Sequence, residues 1–214
     1  GVAGWHVERL AMQDTLGLIV GNSPAAIAPF GGSTPIFGTN PIAFAAPRHS
    51  NHPLVIDLSL SQVARGKVMV AAKEGQSIPE GWGLDQDGQP TTDPKAVLQG
   101  SMLPMGGAKG AALVLLVEIL AAALGGAHFG FEASSFFDAE GEPPAVGQTL
   151  LCIDPELFSG GGFSNRLEVL LEQILMQEGT RLPGTKRLTL RERSATEGIA
   201  VSQVSLQEVE QLVR

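Results

Sequence analysis

A glycine-rich stretch with one lysine, Leu103 to Gly110, comes directly before the apolar run 111–124. Gly106, Gly107 and Gly110 would let a ligand approach the main chain closely. At a helix start the first N–H groups and the helix dipole attract anions, and the Lys109 ammonium would add a charge-assisted contact. The pattern predicts a phosphate-binding loop. The alternative is a helix-start lysine that extends its ammonium into water.

A second candidate group lies at the end of a predicted strand. The run Leu54 to Leu58 indicates a buried strand that carries Asp57 near its end and is followed by Ser59. Ligands meet α/β sheets where strands end, so these side chains are candidates for a binding site. Alternatively, Asp57 caps a helix that begins near Ser61, because Asp and Ser favour such positions.

Hydrophobic spacing predicts both strands and helices along the chain. The predicted strands cover 16–20, 41–46, 54–58 and 148–153, and the predicted helices cover 5–14, 61–73, 111–124, 163–178 and 205–213. The run 111–124 is typical of a helix in a protein interior. Its one charged residue, Glu118, would there need a hydrogen bond, and we expect a structural partner rather than a catalytic role.

Composition excludes several classes of function. A net charge of −8, a pI near 5.0 and the lack of a long Lys/Arg cluster argue against nucleic-acid binding. The run 111–124 is too short to span a bilayer, so no membrane partner is expected. The single cysteine, Cys152, lies in an apolar run, which predicts a buried thiol in a reducing cytoplasm. No metal site is expected, because neither zinc spacing nor a complete calcium loop occurs.

Six motifs occur in one order along the chain. They are Phe37-Gly38-Thr39-Asn40-Pro41-Ile42-Ala43-Phe44, Ala64-Arg65-Gly66-Lys67, Ile78-Pro79-Glu80-Gly81-Trp82, Pro90-Thr91-Thr92-Asp93-Pro94, Leu103-Pro104-Met105-Gly106-Gly107 with Lys109-Gly110, and Arg181-Leu182-Pro183-Gly184. Together they resemble the malate/L-lactate dehydrogenase family of NAD(P)-dependent oxidoreductases. That family also holds ureidoglycolate dehydrogenase, diketogulonate reductase and the cyclic ketimine reductases.

The resemblance implies a fold and a ligand set. The fold is the family's own α/β type, a mixed sheet with packed helices and a nicotinamide site unrelated to the Rossmann pattern. Consistently, no Gly-x-Gly-x-x-Gly follows a predicted strand. The cofactor is NADP or NAD, and the partner is a small 2-oxo or 2-hydroxy acid.

The resemblance also assigns residues to the site. Thr39 matches a substrate-contacting position. Cofactor contacts are implied for Asp57, Leu58, Ser59, Arg65, Gly66, Gly106, Gly107, Lys109, Pro183, Gly184 and Arg187. Plainer alternatives remain: ordinary turn chemistry for Thr39 and Asn40, a solvated helix face for Arg65, and a solvated basic loop for 181–187.

The family's catalytic Ser and His residues are implied to lie outside this chain. Gly1 would be the glycine of a His-Phe/Tyr-Gly motif, and none of the four histidines falls at a catalytic position of the family. The implied domains are a cofactor-binding α/β domain over 1–160, incomplete at its N-terminal end, and a helical segment over 161–214 that returns to the cofactor.

We therefore predict a cytoplasmic, homodimeric NAD(P)-dependent oxidoreductase that transfers a hydride between the nicotinamide and a small 2-hydroxy or 2-oxo acid. A cyclic ketimine reductase is one alternative, although Lys67 stands where those enzymes have an acidic residue. A non-catalytic dimerising fragment is another, because the helices 111–124 and 163–178 could require a partner surface. A third is a lyase or isomerase that shares only the glycine-rich loop.

Overall fold

The computed structural model describes residues 2–49, 51–137, 141–201 and 203–212. Gly1, on which the His-Phe/Tyr-Gly comparison depends, lies outside them. The chain divides into two compact units, residues 1–170 and 171–214. The first unit contains every strand of the described residues. The proposed functional division at residue 160 stays a prediction.

The described secondary structure consists of six strands and eight α-helices. The strands are β1 (Leu16–Gly21), β2 (Ile42–Ala46), β3 (Leu54–Leu58), β4 (Gly83–Leu84), β5 (Ser101–Met102) and β6 (Gln148–Ile153). The helices are α1 (Ala3–Ala11), α2 (Arg65–Glu74), α3 (Pro94–Gln99), α4 (Ala108–Glu118), α5 (Pro155–Ser159), α6 (Phe163–Leu175), α7 (Thr185–Glu197) and α8 (Gln203–Leu212). A π-helical segment, Ile119–Ala123, continues α4.

Four strands form the main sheet in the order β3-β2-β1-β6, and β4 and β5 form a small hairpin-like pair. Every strand pair in both sheets is antiparallel. The α/β class is confirmed, but the mixed sheet that we expected is antiparallel among the described residues. No helical crossover joins two neighbouring strands of this sheet, and parallel strands require such a connection.

Each face of the main sheet is covered by a separate apolar cluster. On one face α1 packs so closely that a methyl group added at Gly17 would lie 3.0 Å from Val7 and Leu10. The buried residues of this cluster are Val7, Ala11, Ala43, Ala45 and Val55. The larger cluster contains Val20, Ala26, Ile27, Leu60, Val68, Ile78, Val97, Met102, Val114, Val117 and Ala121.

Strand β6 has the predicted bounds but not the predicted burial. It is an edge strand, and Leu150, Leu151 and Ile153 are each about half exposed. Cys152 is exposed as well, so the prediction of a buried thiol is wrong. An unbroken apolar run cannot distinguish a central strand from an edge strand, because both can have the same composition.

Helix α4 buries one side only. Val114 and Val117 are fully buried, whereas Leu115, Leu116 and Ile119 are about half exposed. The expectation of an interior helix over 111–124 is therefore wrong for this half of its surface. An apolar residue on every side gives no amphipathic signal from which the buried face could be predicted.

Several helices differ from their predicted extents. Helix α2 begins at Arg65 rather than Ser61, and it ends as predicted at Gly75, which adopts a left-handed conformation. The predicted helix 163–178 ends at Leu175. In the second unit α7 was not predicted, because its charged sequence has little apolar periodicity.

Candidate functional site

A cavity of about 790 Å³ lies in the first unit, where β3 ends. The starts of α1 and α2 border it, together with the turn that precedes β2, the residues between Gly130 and Phe137, and Val146. Its lining includes Thr39, Asp57, Leu58, Ser59 and Arg65 from the sequence-predicted site. These residues come from three separate motifs, so the fold brings together side chains that the sequence only indicated one by one.

The side chain of Asp57, on β3, contacts the start of helix α1. Its Oδ2 accepts a hydrogen bond of 2.9 Å from the backbone N–H of Gly4, in the first turn of α1. Helix α2 is instead preceded by Ala64, which has no side chain to cap it. The suggestion that Asp57 caps the helix near Ser61 is therefore wrong, although the preference of Asp for helix starts is correct.

Arg65 is half-buried rather than part of a solvated helix face. One terminal nitrogen donates to the carbonyl of Ala25 at 3.1 Å, and the guanidinium lies 5.3 Å from the ring centre of Phe137. Burial lowers the pKa of Arg65. Its buried Nε has no hydrogen-bond partner among the described residues. A cation with a spare donor thus lies in the cavity wall.

Thr39 enters the wall through a turn that is fixed at both ends. Its backbone N–H donates to Oγ of Ser23 at 3.1 Å, and its carbonyl accepts from the N–H of Leu60 at 2.8 Å. Thr39 and Ser23 both line the cavity, next to the end of β3. A hydroxyl group on a fixed main chain is suited to hydrogen-bond a small polar ligand.

Asn40, next to Thr39, belongs to a buried hydrogen-bond network. Its Nδ2 donates to Oε2 of Glu118 at 2.7 Å and to the carbonyl of Val114 at 3.0 Å. The other carboxylate oxygen of Glu118 accepts from Asn22 and from the N–H of Gly130. The expectation of a structural partner for Glu118 is confirmed. Asn40 therefore forms the turn and also holds it against α4 through its side chain.

The glycine-rich loop turns sharply into α4. Gly106 and Gly107 have φ values of 68° and 61°, and α4 begins immediately after them. A side chain at Gly110 would collide with the carbonyl of Met105, so this turn admits only glycine there. The space beside Gly106 is open, and Lys109 is exposed. The loop therefore fits an anionic group.

The loop lies beside the end of β3 without lining the cavity. The N–H of Met105 donates to the carbonyl of Leu60 at 2.8 Å, and the N–H of Gln62 donates to the carbonyl of Leu103 at 2.7 Å. Gly106, Gly107, Lys109 and also Gly66 are absent from the cavity lining. Their contact with a cofactor stays a prediction.

The sequence model of one family, malate/L-lactate dehydrogenase, matches residues 1–210, nearly the whole chain. The chain belongs to the malate/L-lactate dehydrogenase family. The resemblance inferred from the six motifs is thus confirmed.

Relatives within this family have several names. The chain is 59% identical to (2R)-3-sulfolactate dehydrogenase (NADP(+)) of Chromohalobacter salexigens, over 89% of this chain and 57% of that protein. It is 45% identical to Delta(1)-pyrroline-2-carboxylate/Delta(1)-piperideine-2-carboxylate reductase of Pseudomonas putida, over 97% of this chain and 61% of the relative. The chain therefore spans about three fifths of the length of these relatives.

Solved structures of the malate/L-lactate dehydrogenase family have the same fold. The delta1-piperideine-2-carboxylate reductase of Pseudomonas syringae pv. tomato superposes with a TM-score of 0.90 at 42% identity, covering 99% of this chain and 64% of that one. The sulfolactate dehydrogenase of Methanocaldococcus jannaschii gives a TM-score of 0.84 at 35% identity, covering 95% of this chain and 60% of that one.

Two groups of cavity residues were missed by the sequence analysis. His6, on α1, lines the cavity. Phe131, Phe136 and Phe137 line it from the segment before β6. The sequence could have indicated this segment, because four of the nine phenylalanines are clustered within residues 129–137, at 129, 131, 136 and 137.

The predicted site residues of the second unit lie around the start of α7. Pro183 and Gly184 precede this helix, and Arg187 lies in its first turn. Their contact with a cofactor, like the alternative of a solvated basic loop, stays a prediction.

The described residues contain no group of three or more His, Cys, Asp or Glu side chains that could hold a metal ion. Within the same part of the chain, no helix has both the length and the apolar character needed to cross a membrane.

Proposed function

We propose that the protein is an NAD(P)-dependent oxidoreductase that transfers a hydride between the nicotinamide and a small 2-oxo or 2-hydroxy acid. Membership of the malate/L-lactate dehydrogenase family supports this assignment. The cavity carries the proposal, because it collects Thr39, the Asp57–Ser59 segment and Arg65 at the end of β3. Concave cavities with a few convergent polar groups are where small ligands and cofactors bind.

The residues of this chain fit a dinucleotide cofactor, which when bound supplies or accepts the hydride. Gly106 and Gly107 would hold a phosphate against the first N–H groups of α4, and Lys109 would neutralise its charge. Asp57, Leu58, Ser59 and Arg65 would contact the cofactor from the cavity. The buried Nε of Arg65 supports this role, since it has no acceptor among the described residues.

On the substrate side, Thr39 would donate to an oxygen of the acid. We assign the proton donor, by family resemblance, to the Ser and His residues outside the 214 residues of this chain. The cavity residues would orient the acid and exclude water around the reacting carbon, so that the hydride and the proton reach the correct atoms.

The names of the relatives support a substrate class. The 59% identical relative is named a sulfolactate dehydrogenase that uses NADP(+), which supports a 2-hydroxy acid and NADP. The 45% identical relative is named a reductase of pyrroline- and piperideine-2-carboxylate, which supports cyclic ketimine reduction as the second candidate. In both reactions the hydride is added to a carbon that bears a carboxylate. That carbon is doubly bonded to oxygen in a 2-oxo acid and to nitrogen in a cyclic ketimine.

A substrate panel tests the assignment. The protein expressed from its whole reading frame would be given NADPH or NADH with 3-sulfopyruvate, pyruvate, oxaloacetate or Δ1-piperideine-2-carboxylate, and loss of reduced cofactor followed by absorbance. We expect oxidation of NADPH with at least one 2-oxo acid. Turnover confined to the ketimine would select the second candidate, and no turnover with any of the four would contradict both.

An assay of the 214-residue chain by itself distinguishes cofactor binding from catalysis. We expect weak NADPH binding, seen by cofactor fluorescence, and little turnover. Robust reduction of a 2-oxo acid by this chain alone would contradict the assignment of catalysis to residues outside it. No binding even with the upstream segment added back would instead favour a non-catalytic dimerising fragment.

A cytoplasmic homodimer is part of the same proposal. Leu116 and Ile119 on the α4 side, and Leu151 on β6, are about half exposed. The two segments adjoin, because the hydroxyl of Thr149 donates to the carbonyl of Leu120 at 2.6 Å. We expect light scattering to give a dimer that Leu151→Asp dissociates. Val70→Asp, at a similarly exposed position on α2, is the matched control.

A further inference from the structure

Glu118 is the point at which three segments of the cavity wall meet. The residue is 3% exposed and ends α4. Oε1 accepts from Nδ2 of Asn22 at 3.0 Å and from the N–H of Gly130 at 2.7 Å. Oε2 accepts from Nδ2 of Asn40 at 2.7 Å. All three donors are N–H groups, which matches a group that only accepts.

Each donor belongs to a different part of the wall. Asn22 and Gly130 line the cavity themselves, and Asn40 follows Thr39, which lines it. Asn22 extends the network further, because its Oδ1 accepts from the N–H of Gly147 at 2.8 Å. The network therefore joins the end of β1, the turn before β2, Gly130 and Gly147.

The turn at Thr39 depends on this network for its backbone shape. Asn40 is fully buried and has a φ of 41°, in the left-handed region that non-glycine residues adopt at a cost. Its side chain is anchored by Glu118 and by the carbonyl of Val114, both on α4. Loss of the Glu118 anchor would let the turn relax and move the Thr39 main chain.

The backbone at Gly130 packs closely against the two neighbouring segments of the cavity wall, near Ser23 and Gly38. A side chain at Gly130 would lie 2.8 Å from the N atom of Gly38 and 3.0 Å from the carbonyl oxygen of Ser23. The N–H of Ala25 donates to the Gly130 carbonyl at 2.8 Å. A displacement of Gly130 is therefore transmitted to Ser23, which holds the N–H of Thr39.

We propose that Glu118 is a positioning residue that sets the substrate wall of the cavity through Asn22, Asn40 and Gly130. The inference rests on the proposed function, since the effect on a substrate requires one. Glu118 itself is not among the residues that line the cavity. The cofactor loop is spared, because Lys109 lies nine residues earlier on α4, roughly 14 Å away along a helix.

Glu118→Gln tests the proposal, with Val117→Ala as the matched control. The amide keeps the volume of Glu118 but turns one acceptor into a donor that faces N–H groups. Val117 is fully buried on the same helix, so its truncation destabilises the core and leaves the polar network in place. Stability would be measured by urea unfolding of both variants.

Two readouts distinguish positioning from general destabilisation. We expect Glu118→Gln to raise the KM of the acid substrate about tenfold and to change NADPH affinity by a smaller factor, while Val117→Ala changes neither by more than about twofold. Hydrogen exchange in peptides covering 20–25, 36–41 and 127–132 should be faster in Glu118→Gln than in Val117→Ala. If Glu118→Gln does not fold, Glu118→Asp replaces it in both comparisons.

Equal KM values and equal exchange in the two variants would overturn the proposal. A loss of NADPH affinity with an unchanged KM would also overturn it, because the carboxylate would then act on the cofactor loop. Absence of turnover in the parent protein would contradict the proposed function instead. In that case the exchange comparison alone decides whether Glu118 holds the wall.

Discussion

The backbone N–H of Gly4 donates to Oδ2 of Asp57 at 2.9 Å, so the start of α1 is tied to the end of β3. The two residues lie 53 positions apart in the sequence. One of the first-turn N–H groups of α1, which no helical carbonyl can reach, thereby obtains an acceptor. The same carboxylate lines the cavity, so a structural contact and a candidate ligand contact share one side chain.

Replacement of Asp57 should therefore reduce stability through α1. We expect Asp57→Ala to lower the free energy of unfolding by about 1 kcal/mol, the usual effect of removing a helix-start acceptor. Asp57→Asn retains an acceptor oxygen and should cost less. Urea unfolding measures both values, and equal stability of Asp57→Ala and the parent would contradict this contact.

Lys109 offers a direct test of the phosphate loop. Loss of a hydrogen bond to a charged group costs about 1.5–3 kcal/mol, so Lys109→Ala should weaken NADPH binding by at least about tenfold. Lys95→Ala is the matched control, because Lys95 is also exposed and also the second residue of its helix, α3. Fluorescence titration that gives one affinity for both variants would remove Lys109 from the site.

Two glycines near the site should respond in opposite directions to alanine. A Cβ at Gly110 would collide with the carbonyl of Met105, so Gly110→Ala should distort the loop and destabilise the protein by about 1–3 kcal/mol. Gly66 lies inside α2 with open space around it, and Gly66→Ala should stabilise by about 0.5–1 kcal/mol. Thermal unfolding compares them. A destabilised Gly66→Ala would mean that the backbone there is packed more tightly.

The ion pair of Arg48 and Glu168 predicts a pH dependence of stability. Both nitrogens Nε and Nη2 of Arg48 donate to the carboxylate, at 2.9 Å and 2.7 Å. This hydrogen bonding, assisted by the charges of Arg48 and His49, lowers the pKa of Glu168 against the opposing effect of burial. A lowered folded-state pKa stabilises the protein above the unfolded-state pKa, and the benefit is lost as the pH falls through the folded value.

We therefore expect Arg48→Met to lose about 1 kcal/mol at neutral pH, and less as the pH falls below about 4. Urea unfolding at a series of pH values gives the difference between the variant and the parent. A difference that stayed constant down to the acid range would show that the loss reflects packing of the arginine stem rather than its charge.

Local features of the fold could be predicted where neighbouring residues in the sequence determine them. The bounds of β3 and β6 match the predicted ones, because both apolar runs end at turn residues. The stop of α2 at Gly75 follows from the left-handed conformation that glycine tolerates.

Pairings across long stretches of sequence could not be predicted. The sequence indicated that Asp57 would sit at a helix start and that Glu118 would need a partner. It could not identify α1, Asn22 or Asn40 as those partners, because each pairing depends on tertiary packing. The exposure of Cys152 could not be predicted for a related reason. The sequence of a strand does not determine whether that strand lies at the centre or at the edge of its sheet.

The network around Glu118 also constrains when the cavity can form during synthesis. It joins Asn22 to a carboxylate 96 residues later and, through the N–H of Gly147, to a segment 125 residues later. A growing chain cannot complete this network before residue 147 has left the ribosome, although β1, β2 and β3 are available much earlier. Contacts of such separation are slow to close. The wall of the cavity can therefore be completed only after more than two thirds of these 214 residues have been made.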